Sequence, residues 1–163
     1  MYGEIAIILV TLLAAYCLGV FRGAPFVPTD KSTLEKMISA AGIRPGIKIA
    51  DLGSGDGRIV IAAAQAGAVA HGYEINPVLV WWSRYKIKKA GLEGSAFIHW
   101  KSFWNANLQE FDVVMLFGIT SIMNRLGQKL QRELKPRAKV ISNIFKFTNW
   151  EHEKVDSVYI YRV

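Results

Sequence analysis

The sequence predicts an α/β fold: a mostly parallel sheet with helices on both faces, preceded by one N-terminal transmembrane helix. Three observations carry this expectation. From Gly46 onward, short apolar runs alternate with segments of helical period, the pattern of β-α-β units. A glycine-rich turn follows the first of those runs directly. Residues Ile5 to Phe21 contain no charge. The 163 residues suffice for one domain with a real core, so the chain divides into an anchor and flank over residues 1–24 and a folded domain over 25–163.

The elements follow in order. The stretch IAIILVTLLAAYCLGVF is seventeen residues long and spans roughly 25 Å as a helix, the short end of a bilayer crossing. A cleaved signal peptide is disfavoured because the chain opens Met-Tyr-Gly-Glu without a basic start; a buried helix is the other alternative. Glu4 precedes the stretch while Arg22, Lys31 and Lys36 follow it, so the charge bias places a single-pass protein with its domain on the cytoplasmic, or topologically equivalent, side. GAPFVPT (Gly23 to Thr29) is a linker stiffened by two prolines. Ser32-Thr33-Leu34-Glu35 resembles a capping box, and Leu34, Met37, Ile38 and Ala41 continue at helical spacing until Gly42 and Pro45.

Ile47 to Leu52 reads as a buried strand, Arg58 to Ala66 as a helix, Ala68 to Tyr73 as a strand and Val78 to Ala90 as a helix. Strands are expected at Ala96 to His99, Asp112 to Phe117 and Lys139 to Ile144, with a helix over Ile122 to Leu134. A last strand is expected at Ser157 to Arg162. The nineteen residues after Ile144 are too few to decide from pattern whether a complete seventh strand forms.

Composition narrows the function classes. Hydrophobic residues reach 52%, much of the excess in the first two dozen positions. Twenty Lys and Arg against thirteen Asp and Glu give a net charge of +7. A basic surface suits anionic lipid, nucleic acid or an acidic protein, but the cations are scattered and no RNA-binding signature accompanies them, so no nucleic-acid partner is expected. The single cysteine, Cys17, excludes an intramolecular disulfide and a Cys-rich metal site, and no zinc spacing is present.

The decisive segment is Asp51-Leu52-Gly53-Ser54-Gly55-Asp56-Gly57-Arg58. It leaves an apolar strand and opens a helix. Its glycines permit a sharp turn and a close approach of ligand to backbone, and free N–H groups at the helix start favour polar ligand groups. A dinucleotide loop would read G-x-G-x-x-G, whereas this one reads G-x-G-x-G, with an acid two residues before the first glycine. That acid sits poorly beside a pyrophosphate and suits a ligand with a cationic amino group, such as the methionine part of S-adenosyl-L-methionine. A Walker A loop is excluded because no Gly-Lys-Ser/Thr follows. Glu74, 23 residues after Asp51 at the end of the next strand, is placed to accept hydrogen bonds from ribose hydroxyls. The fold is therefore Rossmann-like.

This loop together with Glu74 resembles the class I, seven-strand methyltransferases. PFVPT at Pro25 to Thr29, DLGSGDGRIV at Asp51 to Val60, GYEINP at Gly72 to Pro77 and LFG at Leu116 to Gly118 sharpen the likeness over nearly the whole chain. With the apolar N-terminal stretch, the sequence is similar to a family of small membrane-anchored protein-lysine methyltransferases. Its mitochondrial members modify the ATP synthase c protein and the adenine nucleotide translocase. The resemblance implies S-adenosyl-L-methionine as methyl donor, S-adenosyl-L-homocysteine as product, a protein substrate near the membrane, a bilayer contact through the N-terminal helix, and no metal. It implies a cofactor-binding set of Pro28, Thr29, Asp51, Gly53, Ser54, Gly55, Asp56, Gly57, Glu74, Ile75, Asn76, Ser102 and Phe103. Ser102 departs from the class, many of whose members carry there an acid that contacts adenine.

A lysine nucleophile must be neutral, although its ordinary pKa is about 10.4, and an apolar channel lowers it. Phe26, Phe117, Gly118 and Trp150 are the expected channel lining, with Trp104, Phe145 and Phe147 as further aromatic walls. His71, His99 and His152 are the imidazoles available as bases, but His71 lies in an expected strand and His99 ends one, which favours core or surface roles. Two other functions stay open from sequence: methyl transfer to a small or lipid-like molecule, and non-catalytic binding of the cofactor.

Overall fold

The computed structural model describes residues 3–8, 10–11, 28–118 and 120–163. Helix α1 (Lys31–Ala41) is capped by Asp30, whose carboxylate accepts from the Thr33 N–H at 3.0 Å. The cap therefore lies two residues before the expected Ser32. Gly42 ends the helix in a left-handed conformation. Strand β1 (Lys48–Leu52) leads into α2 (Arg58–Gln65), β2 (Val69–Glu74), α3 (Pro77–Lys89) and β3 (Ala96–Trp100). A short 3-10 turn at Phe103–Asn105 precedes β4 (Val113–Phe117), α4 (Thr120–Glu133) and β5 (Lys139–Asn143). The chain closes with β6 (His152–Val155) and β7 (Val158–Arg162).

The seven strands lie in the order β3-β2-β1-β4-β5-β7-β6. Strands β1 to β5 pair in parallel, and β7 joins β5 antiparallel with β6 outside it. The sheet is thus mixed, and the seventh strand is completed by β6, which is exposed throughout and carries no buried periodicity in HEKV. Because β1, β2, β4 and β5 run in parallel, the loops after them gather at one edge of the sheet, where ligands of open α/β sheets bind.

Helices lie on both faces, but unequally. One face is covered by α1, α2 and α3, through Met37, Val60, Ala63, Val80 and Ile87 against Ile49, Ala70, Ile98, Val113 and Met115. The other is covered by α4, through Met123, Leu126 and Leu130, with the irregular stretch that buries Ala106, Leu108 and Phe111. Lys129 of α4 locks that stretch in place. Its buried ammonium donates to the Ala106 carbonyl at 2.9 Å and pairs with Glu133 at 2.7 Å, so both the ion and the carbonyl stay satisfied.

The expectation of a single-pass membrane protein is corrected. Among the described residues no helix is long and apolar enough to cross a membrane. Residues 3–8 and 10–11 are helical; Leu9 and positions 12–21 of the expected anchor lie outside the described residues, as does Phe26. The cytoplasmic-side topology derived from that anchor falls with it, and the bilayer contact through it has no support in the structure.

The second core is closed by Tyr161, fully buried, whose hydroxyl accepts from the Phe147 N–H at 2.9 Å. Tyr161→Phe keeps the ring and strands that N–H in a dry core. It is expected to lower stability by about 1–2 kcal/mol with an unchanged denaturant slope in chemical unfolding.

Candidate functional site

The loop from Gly53 to Gly57 turns from β1 into α2 in a conformation that side chains resist: its three glycines have φ of 85°, 53° and 77°. Gly57 is constrained twice, because a Cβ there would stand 2.9 Å from the Ser83 Cβ of α3. Ser83 in turn donates to the Gly55 carbonyl at 2.8 Å. The Gly53 and Ser54 N–H groups both donate to the Tyr73 carbonyl, at 2.9 and 3.0 Å, so the loop is sewn to the end of β2.

Glu74 ends β2 and organises the same corner. Its carboxylate accepts from the Gly55 N–H at 2.9 Å and from the Ile75 and Asn76 N–H groups at 2.8 Å each. Three of its roughly four acceptor positions are thereby taken. A diol approaching this carboxylate must share or displace the Gly55 N–H.

Asp51 is the exceptional group. It is 3% exposed on the central strand, and its Oδ2 has no hydrogen-bond partner. Burial pushes its carboxyl up to about 8, and the negative charges of Glu74 and Asp56 push in the same direction. A buried acceptor without a donor costs free energy; a ligand bearing an ammonium would supply both a donor and a charge. Asp56, by contrast, is occupied. It pairs with Arg58 at 2.9 Å and Lys86 at 3.0 Å, and these cations hold its carboxyl below the usual range against the opposing effect of burial. Arg58 also donates to the Thr29 carbonyl at 2.6 Å, fastening the segment before α1 to the loop.

The structure thus gathers Asp51, the three loop glycines, Asp56, Glu74, Ile75 and Asn76 at one edge, with Thr29 tied to them through Arg58. Pro28 is exposed beside Thr29. Several side chains are turned to other work. Ser54 Oγ packs against Gly72, where a Cβ would stand 2.6 Å away, and it lacks a hydrogen-bond partner. The Asn76 side chain caps α3, accepting from Val78 N–H at 3.0 Å. Ser102 and Phe103 follow β3 at the same edge, and Ser102 is half-buried.

Phe117 ends β4 at this edge and meets Phe145 edge to face at 5.6 Å. Gly118 is buried, and a Cβ there would collide with the Met123 thioether. Trp150 is a correction. Its indole N–H donates to the Arg162 carbonyl at 3.0 Å and its ring packs on Phe147 and Tyr161. Arg162 pairs with Lys139 at the start of β5, so Trp150 lies at the opposite edge and lines no channel here. Phe147 is core, and Trp104 stacks under Arg125 at 4.5 Å.

The imidazoles are also elsewhere. His71 and His99 face each other across β2 and β3 at 3.0 Å, and burial lowers both pKa values. His152 is exposed on β6. Sequence reasoning missed the Arg58–Thr29 bond, whose one signal is a cation directly after the loop, and Asn143, buried at the end of β5 with Ser157 donating to its side chain at 3.0 Å.

A seven-strand sheet of this order, with an acid-led glycine loop after β1 and a carboxylate ending β2, is the fold of the S-adenosylmethionine-dependent methyltransferases. A family model for the ANTKMT methyltransferase domain matches residues 51–154, and the chain belongs to that family. It is 42% identical over 142 residues to the human ATP synthase c lysine N-methyltransferase, covering 84% of this chain and 60% of that protein. It is 35% identical to a protein-lysine N-methyltransferase of Saccharolobus islandicus, covering 82% of this chain and 84% of that protein. An RNA methyltransferase from Salinibacter ruber, solved with S-adenosyl-L-homocysteine, superposes with a TM-score of 0.78 at 33% identity, covering 83% of this chain and 92% of that one. The chain spans 57% to 65% of the length of the mammalian ATP synthase c methyltransferases that it matches.

The raised Asp51 carboxyl fixes a stability trend. In the folded, ligand-free protein Asp51 holds its proton up to about pH 8, whereas the unfolded chain releases it near 3.9. The folded state therefore binds the extra proton between those values. Asp51's contribution is fully present below about pH 4 and is lost as pH rises toward 8, by at most about 1.4 kcal/mol per pH unit. Comparing wild type with Asp51→Asn across pH 4 to 8 in thermal or chemical unfolding should show the wild type losing stability relative to the variant as pH rises, since the other titrating groups are common to both.

Proposed function

We propose that this chain transfers a methyl group from S-adenosyl-L-methionine to the ε-amino group of lysine in a protein substrate, leaving S-adenosyl-L-homocysteine. The observation that carries this reading is the apolar Phe117–Phe145 ring pair on the same sheet edge as Glu74 and the Asp51 carboxyl, whose Oδ2 has no partner. The human and Saccharolobus relatives are named as lysine N-methyltransferases, which supports the choice of lysine.

The residues fit the cofactor. Asp51, whose Oδ2 lacks a donor, would hold the methionine ammonium, Glu74 would hold the ribose hydroxyls, and the glycine loop, backed by Ile75 and Asn76 through their main chain, would admit the ligand without side-chain clash. Thr29, held by Arg58, closes the corner, and Ser102 and Phe103 border the adenine end. When bound, the cofactor supplies a methyl group on a sulfonium, an electrophile that needs no further activation.

The chain's task is then to position and dry the amine. The aromatic edges of Phe117 and Phe145 exclude water and favour the neutral form of an incoming lysine, while a ring face tolerates the ammonium on approach. With the three imidazoles placed elsewhere, the amine arrives having lost its proton to solvent. The methylation rate should therefore rise between about pH 7 and 9, following the amine's titration. An initial-rate profile at saturating cofactor checks this, and a flat profile speaks against deprotonation before entry.

The assignment itself is tested with labelled S-adenosyl-L-methionine and soluble and membrane fractions of a proteome, followed by tandem mass spectrometry. Methyl on lysine is the expected product, and Glu74→Ala should bind S-adenosyl-L-homocysteine roughly 10- to 150-fold more weakly, the equivalent of about 1.5–3 kcal/mol. Label found only on RNA, lipid or small molecules would overturn lysine as acceptor.

A further inference from the structure

At the edge of the sheet opposite the glycine loop, where β4 and β5 begin, lies a cavity of about 310 Å³. Arg44, Asp112, Lys135, Arg137 and Lys139 bring charge to its walls: four cations and one acid. Two of the cations are committed. Lys135 pairs with Asp112 at 2.5 Å, and the other Asp112 oxygen accepts from the Lys48 N–H at 2.8 Å. Lys139 donates to the Ala40 and Ala41 carbonyls at the end of α1, at 3.0 and 3.4 Å, covering the negative end of that helix. Among the described residues, the Arg44 and Arg137 guanidiniums have no carboxylate partner.

The backbone adds an independent observation. Two turns enter neighbouring parts of this edge with the same design. In Arg44-Pro45-Gly46-Ile47 the Ile47 N–H returns to the Arg44 carbonyl at 3.1 Å, and Gly46 has φ of 82°. In Lys135-Pro136-Arg137-Ala138 the Ala138 N–H returns to the Lys135 carbonyl at 3.1 Å, and Arg137 has φ of 69°. Both are type II turns with proline second and a left-handed third residue. The first turn uses the glycine that such a position favours. The second places an arginine there, at a steric cost, and its side chain lines the cavity.

We propose that this cavity binds a compact phosphorylated ligand, its phosphate oxygens held between the Arg44 and Arg137 guanidinium forks. Guanidinium matches phosphate in both charge and geometry, and the volume suits a small ligand. The site lies away from the methyl-transfer edge, so it stands or falls separately from the lysine assignment.

The test uses the full chain and inorganic pyrophosphate as probe, by isothermal titration at low ionic strength. Saturable binding is expected. Arg44→Gln with Arg137→Gln should weaken it at least about tenfold, whereas Lys88→Gln with Lys89→Gln on the exposed face of α3 should leave it unchanged. Arg137→Gly separates binding from structure. It should raise Tm by about 2–4 °C by relieving the left-handed turn while weakening pyrophosphate, and affinity for S-adenosyl-L-homocysteine should stay at the wild-type value in every variant. Absent saturation, equal loss in the lysine control, or an Arg137→Gly variant that binds pyrophosphate as wild type does would overturn the proposal. A repeat with phosphatidic acid vesicles distinguishes a lipid headgroup, which would pellet the chain in an Arg44- and Arg137-dependent way, from a free phosphate, which would not.

Discussion

A carboxyl group buried on the central strand without a partner for one of its oxygens is the constraint around which this corner of the molecule is arranged. Asp51 lies next to the end of β1, with Gly72 of β2 and Met115 of β4 beside it in register. An approach from the strand ends meets the glycine loop. The glycine loop leaves that approach clear because it carries no bulky side chains and folds back onto Tyr73. Glu74 and Asp56, the nearby acids, are handled by opposite means. Backbone N–H groups hold one and cations the other, so neither supplies Asp51 with a donor. By itself the corner leaves one oxygen of the Asp51 carboxyl without a donor.

The two edges of the sheet carry different chemistry for a topological reason. Parallel strands put all their exits on one side and all their entries on the other. The exits after β1, β2 and β4 bring glycines, a carboxylate and aromatic rings together. The entries, which the chain makes through proline turns, bring arginines and lysines. A net charge of +7 looks scattered along the sequence because residues 44, 135, 137 and 139 are far apart in the chain; the fold collects them at one place. Between β5 and β6 the chain returns to the entry side, where Trp150 bonds the end of β7, which is why an aromatic expected in the substrate channel packs against the core instead.

What could be read from sequence was local. Asp51, the glycines and Glu74 are fixed by strand ends that the apolar runs announce, and β1 to β5 with their helices lie within a residue or two of expectation. The misses are of two kinds, relations between distant segments and short-range competition for helix caps. HEKV offers no alternating apolar face, so β6 is legible only as the partner of VYIYR. Asn76 looked like a ligand residue, yet a proline follows it and its amide is consumed by capping α3. Ser32 matched a capping pattern, but Asp30 is the stronger cap and begins the helix first. The uncharged stretch at the start satisfied a length and hydropathy rule, and such a rule carries no information on what packs against it. The uneven cover of the sheet was equally invisible, because the stretch before β4 that shields the second face is irregular and held by one lysine ammonium.

The double constraint on Gly57 bears on how this loop can change over generations. A side chain at 57 meets two separate obstacles, a left-handed backbone and the Ser83 Cβ 2.9 Å away. Shrinking Ser83 would open space but leave the backbone objection standing, and it would also release the Gly55 carbonyl that the serine hydroxyl binds. No single compensating substitution makes position 57 permissive, and each partial remedy is itself harmful. The position is an isolated point in sequence space.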